Sequence, residues 1–132
     1  MASKELMDKL NDAIAREMQV SIQYMWQHVQ AVGVQGNVVG GAFRAIGIVE
    51  MQHAELIAER LFHLGGKPTT KPDTINVGEG IGKMLEFDIE AEKGAIAMYR
   101  DIINLADSEG DIVTRNMFED ILTDEENHLW QF

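Results

Sequence analysis

The two halves of this chain carry the same carboxylate, imidazole and phenol side chains at the same spacing. Glu17 and Glu92, Glu50 and Glu125, and His53 and His128 are each separated by 75 residues, and Tyr24 and Tyr99 share that offset. In each half a Glu and the His after it form a Glu-x-x-His sequence, Glu50-Met-Gln-His53 and Glu125-Glu-Asn-His128. A three-residue step returns to the same face of an α-helix, so each pair turns a carboxylate and an imidazole toward one place. A single match of this kind arises readily by chance; a pair at a fixed offset is an internal repeat.

The repeat sits on helical sequence. From Ser3 to about Val32 there is no Gly or Pro, and Leu6, Leu10, Ala13, Ile14, Glu17, Val20, Ile22, Tyr24 and Val29 fall largely at helical spacing, with Ser3 as a plausible N-cap. Gly33-Val-Gln-Gly-Asn37 reads as a break, after which a second helix is expected from about Val38 to Leu64, stopped by Gly65-Gly66 and Pro68. A third is expected from Gly80 or Ile81 to Ala106, and a fourth from Asp111 to about Leu129. The Gly65 to Glu79 connection, held extended by Pro68, Pro72 and Gly78, reaches roughly 50 Å, while a helix of about 27 residues is roughly 40 Å long. It therefore spans the length of a bundle, which makes helices two and three parallel. The expected fold class is all-α, a four-helix bundle with one long crossover between helices two and three, and residues 1–132 are expected to form a single domain.

Composition narrows the chemistry. There is no cysteine, which removes disulfides, thiolate zinc sites and iron–sulfur clusters and leaves His and carboxylate as the strong ligands. A formal charge of −11 argues against a nucleic-acid partner, since phosphate neutralisation needs clustered Lys and Arg, and favours cations as clients. No apolar stretch approaches the ~20 residues that cross a bilayer, and the first residues lack the pattern of a secretion signal, so no membrane and a cytoplasmic location are expected. One Glu from each of two helices with a Glu-x-x-His from each of two others is the ligand pattern of two-metal carboxylate bundles, where four carboxylates balance two divalent iron or manganese ions. Without metal, such carboxylates repel one another and their pKa values rise.

Taken together, the motifs resemble bacterioferritin, in the ferritin-like superfamily. The likeness runs through Glu17 with Tyr24, Glu50-Met51-x-His53-Ala54, Leu64-Gly-Gly-Lys-Pro68, Ile75-Asn-Val-Gly-Glu79, Glu92, and Ile121-Leu-Thr-Asp-Glu-Glu-Asn-His128. The resemblance implies two iron ions per chain, bridged by Glu50 and Glu125, with Glu17 and His53 completing one iron and Glu92 and His128 the other. It implies that Tyr24 bonds to a ligand carboxylate and that Asp124 orients His53. The implied activity is that of a ferroxidase, with O2 or H2O2 taking one electron from each of two Fe(II) and the ferric product kept or passed to a mineral cavity.

In this family a Met at the position of Met51, one from each of two subunits, ligates a haem across a dimer axis. Met18, Ile22 and Met25, with Arg44, Ile48 and Met51, form stripes that suit a flat apolar macrocycle, Arg44 being available to a propionate; a plain hydrophobic dimer contact is the alternative. The chain stops at Phe132, where full-size bacterioferritins continue into a short fifth helix, so the expected assembly is a homodimer or a closed cage smaller than a full-size ferritin. His28 and His63 match no ligand pattern and are expected at the surface. The competing readings are a rubrerythrin-like or manganese-catalase-like enzyme that consumes peroxide, a haem electron-transfer dimer, and a metal-free interaction module.

Overall fold

Residues 2–132 are described by a computed structural model, and they form four helices in the order α1 (Lys4–Gln30), α2 (Gly33–His63), α3 (Ile81–Ser108) and α4 (Ile112–Gln131). Ser3 caps α1, its Oγ accepting from the Leu6 N–H at 3.0 Å, and also bonds the Glu109 carboxylate, which fastens the start of α1 to the α3–α4 turn. That turn is Glu109-Gly110-Asp111. The Asp111 N–H reaches back to the Ala106 carbonyl at 2.9 Å while Gly110, at φ 75°, takes the left-handed conformation a side chain would resist. The Asp111 carboxylate then caps α4 through the Thr114 N–H and receives Arg60 from α2 at 2.8 Å. No helix among the described residues is long and apolar enough to cross a membrane.

The break expected at 33–37 is shorter than the glycines suggested. α1 ends at Gln30, only Ala31 and Val32 connect, and Gly33 already begins α2. Gly36 is not a stop signal but a point of close approach: a Cβ there would lie 2.6 Å from the Ala31 backbone carbon. His28 departs from expectation for the same reason. It is half-buried in this joint, its Nδ1 lying 2.7 Å from the Gly40 carbonyl, whereas His63 is exposed as expected.

The crossover is tied to α1 along much of its length. Asn11 exchanges hydrogen bonds with Lys67 and Thr69, the Asp73 N–H reaches the Ala15 carbonyl, and Gln23 and Gln27 meet Asn76 and Val77. The connection thus climbs beside α1 and delivers α3 to its far end, so that α2 and α3 run parallel and the single-crossover topology is formed. Apolar side chains gather in two clusters. One holds Leu6, Leu10, Ile57, Leu61, Ile102 and Phe118; the other holds Val20, Phe43, Ile46 and Met84, with Phe132 packed against Tyr24 and Phe43. Each large side chain so buried contributes about 1.5–3 kcal/mol. Buried polar side chains occupy the stretch between them.

Candidate metal centre

Glu17 comes from α1, Glu50 and His53 from α2, Glu92 from α3, and Glu125 and His128 from α4; the four glutamates have no exposed surface and each histidine has 5%. One ligand atom from each of Glu17, Glu50, His53 and Glu125 lies within 4.8 Å of the others, and the same holds for Glu50, Glu92, Glu125 and His128. The two groups share Glu50 and Glu125. His53 Nδ1 is 3.1 Å from Glu125 Oε1 and 3.3 Å from Glu50 Oε1, and His128 Nδ1 is 3.2 Å from Glu50 Oε1, but neither nitrogen makes a well-directed hydrogen bond.

Neighbouring groups hold the cluster in place. The Tyr24 hydroxyl donates to Glu92 Oε1 at 2.6 Å and its counterpart in the repeat, Tyr99, donates to Glu17 Oε1 at 2.5 Å, each reaching across from one half of the chain to the other. Asp124 Oδ2 lies 2.8 Å from His53 Nε2, so an N–H on that nitrogen leaves Nδ1 facing the carboxylates.

Sequence reasoning missed Arg16. Its guanidinium is buried among the glutamates, with Nη1 at 2.7 Å from Glu50 Oε2, 2.6 Å from Glu125 Oε2 and 3.3 Å from Glu17, and Nη2 at 3.3 Å from Glu92. The signal was its register: three residues after Ala13 and four before Val20, on the buried stripe of α1. Asp88, Gln23 and Gln27 were missed in the same way, forming a second buried polar group one turn along from Glu92.

The electrostatics follow from burial and from this arginine. Burial and the neighbouring Glu50 push the Glu17 carboxyl up to about 8, and burial raises Glu92 well above the carboxylate range despite Arg16. Glu125 moves the other way. Burial opposes its charge, but Arg16 at 2.6 Å, with both histidines, holds it well below the ordinary value. The expected rise is thus found at Glu17 and Glu92 and reversed at Glu125, where the guanidinium is nearest. His128 is raised to about 9 and His53 further, burial opposing the shift and the facing carboxylates outweighing it. Arg16 and the two histidines set positive charge against the four glutamates. Each of its six residues also keeps one buried atom without a partner: Glu17 Oε2, Glu50 Oε1, His53 Nδ1, Glu92 Oε2, Glu125 Oε1 and His128 Nδ1. Six unpartnered buried donors of oxygen and imidazole type suit two divalent cations.

Outside the bundle, Met18, Ile22, Met25, Trp26, Ile48 and Met51 line an apolar groove of about 690 Å³ between α1 and α2. Met51 is 49% exposed there, and Arg44, also exposed, lies outside the lining.

The ferritin-like domain model matches residues 7–132. The bacterioferritin of Desulfovibrio desulfuricans is 35% identical over 95% of this chain and 70% of its own length, and its crystal structure, with a di-iron site described in different catalytic states, superposes with a TM-score of 0.90 over 96% of this chain and 75% of its own. Rhodobacter capsulatus bacterioferritin, whose structure is described with a metal-free dinuclear site and a haem iron in a crystallographic special position, gives a TM-score of 0.84 at 31% identity, covering 97% of this chain and 81% of that one. A ferritin-like di-iron carboxylate protein of Bacillus anthracis gives 0.95 at 29% identity, covering 99% and 96%. With the family model spanning nearly the whole chain and relatives this close over most of their own length, the protein belongs to the bacterioferritins of the ferritin-like family.

Proposed function

We propose that this protein is a ferroxidase that stores or detoxifies iron, and that residues 1–132 act as one cytoplasmic domain that binds two Fe(II) as substrate. Glu17 and His53 hold one ion, Glu92 and His128 the other, and Glu50 and Glu125 are shared between them. The observation that carries this reading is the single free atom on each of those six buried residues, arranged in two groups with two members in common. Each Fe(II) loses one electron to O2 or H2O2. The chain supplies the spacing of the ions, the orientation of Glu17 and Glu92 through Tyr99 and Tyr24, the orientation of His53 through Asp124, and exclusion of water by the apolar clusters above and below.

An anaerobic titration of metal-free protein with Fe(II), followed by O2, tests this. Ferric absorbance should rise rapidly and break at roughly two irons per chain. Glu50→Ala and His128→Ala should each slow the oxidation by tenfold or more while helical circular dichroism is retained. No saturable oxidation by the wild type, or full-rate oxidation by both variants, defeats the assignment; peroxide consumed with no ferric product would favour the catalase-like alternative.

The outer groove supports haem binding between two copies of the chain. Its apolar lining and the exposed thioether of Met51 fit an iron porphyrin ligated by one Met51 from each chain, and the haem iron described for the Rhodobacter protein is consistent with such sharing. When bound, the haem would supply one-electron transfer. Assembly as a homodimer, and of such dimers into a closed cage, belongs to the same proposal.

A further inference from the structure

Arg16 breaks the symmetry that the six proposed ligands and the two tyrosines obey. Its counterpart 75 residues on is Ala91, and the guanidinium reaches across to that residue, Nη2 lying 3.4 Å from the Ala91 carbonyl. Its distances to equivalent glutamates match: 2.7 and 2.6 Å to Glu50 and Glu125, 3.3 and 3.3 Å to Glu17 and Glu92. One guanidinium therefore sits midway between the two halves of the site.

The atoms it takes are informative. Arg16 bonds Oε2 of both Glu50 and Glu125, the carboxylates assigned to be shared, leaving only Oε1 of each without a partner. While those bonds last, each shared carboxylate offers a pair of metal ions one oxygen rather than two. Charge acts in the same direction. Four glutamates and one arginine carry a formal −3; a first divalent ion leaves −1, so a second meets half the opposing charge it would meet beside four glutamates alone, and its binding leaves a buried +1. The side chain is nearly fully buried, with the Tyr99 ring centroid 6.0 Å from its Cζ, and breaking its ion pairs without replacement is costly.

We infer that Arg16 is a built-in cation that competes with metal for the two shared glutamates, so that the two divalent ions bind in unequal steps, the second against the guanidinium. The inference rests on the two-metal reading above, and it assigns to Arg16 the control of how fully the site loads.

The test is titration of metal-free protein with Co(II), followed by its visible absorption without oxidation, for the wild type, Arg16→Gln and Arg16→Lys, together with the melting temperature of each protein with and without Co(II). In the wild type the second equivalent should bind at least tenfold more weakly than the first. Arg16→Gln should tighten the second step by tenfold or more, lower the melting temperature of the metal-free protein, and widen the gain on adding Co(II). Arg16→Lys, which keeps the charge, should leave the second step weak. Two equal and tight steps in the wild type, or a second step unchanged in Arg16→Gln, overturns the inference while the two-metal reading stands. Should Arg16→Gln fail to fold, the wild-type steps and Arg16→Lys still decide. Absence of Co(II) binding in every folded protein overturns both.

Discussion

Asp88 has no exposed surface, and its two oxygens live in different surroundings. Oδ1 accepts from the Gln23 and Gln27 amides at 2.9 and 2.7 Å, while Oδ2 and the Gln27 Oε1 have no partner. Burial pushes this carboxyl up to about 7, the two amide donors only partly opposing it. A raised acid binds its proton more tightly in the folded chain, so the stabilisation is complete below about pH 4 and is lost as pH rises through about 7. In metal-free protein the melting temperature should fall over that window. Asp88→Asn should make the slope shallower and leave the variant more stable than wild type at pH 8 by about 1 kcal/mol or more, as read from urea unfolding at several pH values; an unchanged slope would refute the burial account. The same residues mark the limit of what could be read in advance. Glu17, Glu50, His53 and their counterparts were legible because repetition gives a signal that composition cannot imitate. Arg16 and Asp88 carry no repeated partner, and charge alone argues for the surface, so they were missed, and only their register against Ala13, Val20 and Glu92 could have pointed to them.

At the scale of helices, one residue type serves opposite ends. Gly36 lies where α2 starts against the Ala31 backbone, whereas Gly94 lies within α3 with open space where a Cβ would be. Gly36→Ala should destabilise the protein by about 1–3 kcal/mol, because backbone rather than a flexible side chain must give way. Gly94→Ala should stabilise it by about 0.5–1 kcal/mol, since only helix propensity changes. Chemical denaturation of the two variants separates these outcomes, and equal effects would refute the packing argument. This is also why the α1–α2 boundary was misjudged: glycine signals both a break and a contact, and a sequence does not say which until the neighbouring backbone is in view. The other ends were clearer. Ser3 and Gly65-Gly66 act locally, and the crossover was legible from reach alone.

For the whole molecule, the outer groove between α1 and α2 is a feature that the bundle itself does not use. If two chains meet there around haem, an aspartate in the lining and the loss of the thioether have different consequences. Ile48→Asp should yield a monomer by sedimentation and abolish haem uptake. Met51→Leu should remain a dimer and lose the absorption of a Met-ligated haem, by tenfold or more in binding; a dimer unaffected by Ile48→Asp would place the contact elsewhere.

The division of the site between the two halves has a consequence for how the molecule assembles. α1 with α2 and α3 with α4 are neighbours along the chain and can pair early, but each hairpin carries only two of the four glutamates and one of the two histidines. Docking the hairpins is the event that drives like charges out of water and against one another. The bundle therefore closes through a step opposed by its own future binding site, and the one hairpin that carries a buried arginine brings the counter-charge that lets the halves meet before any metal arrives.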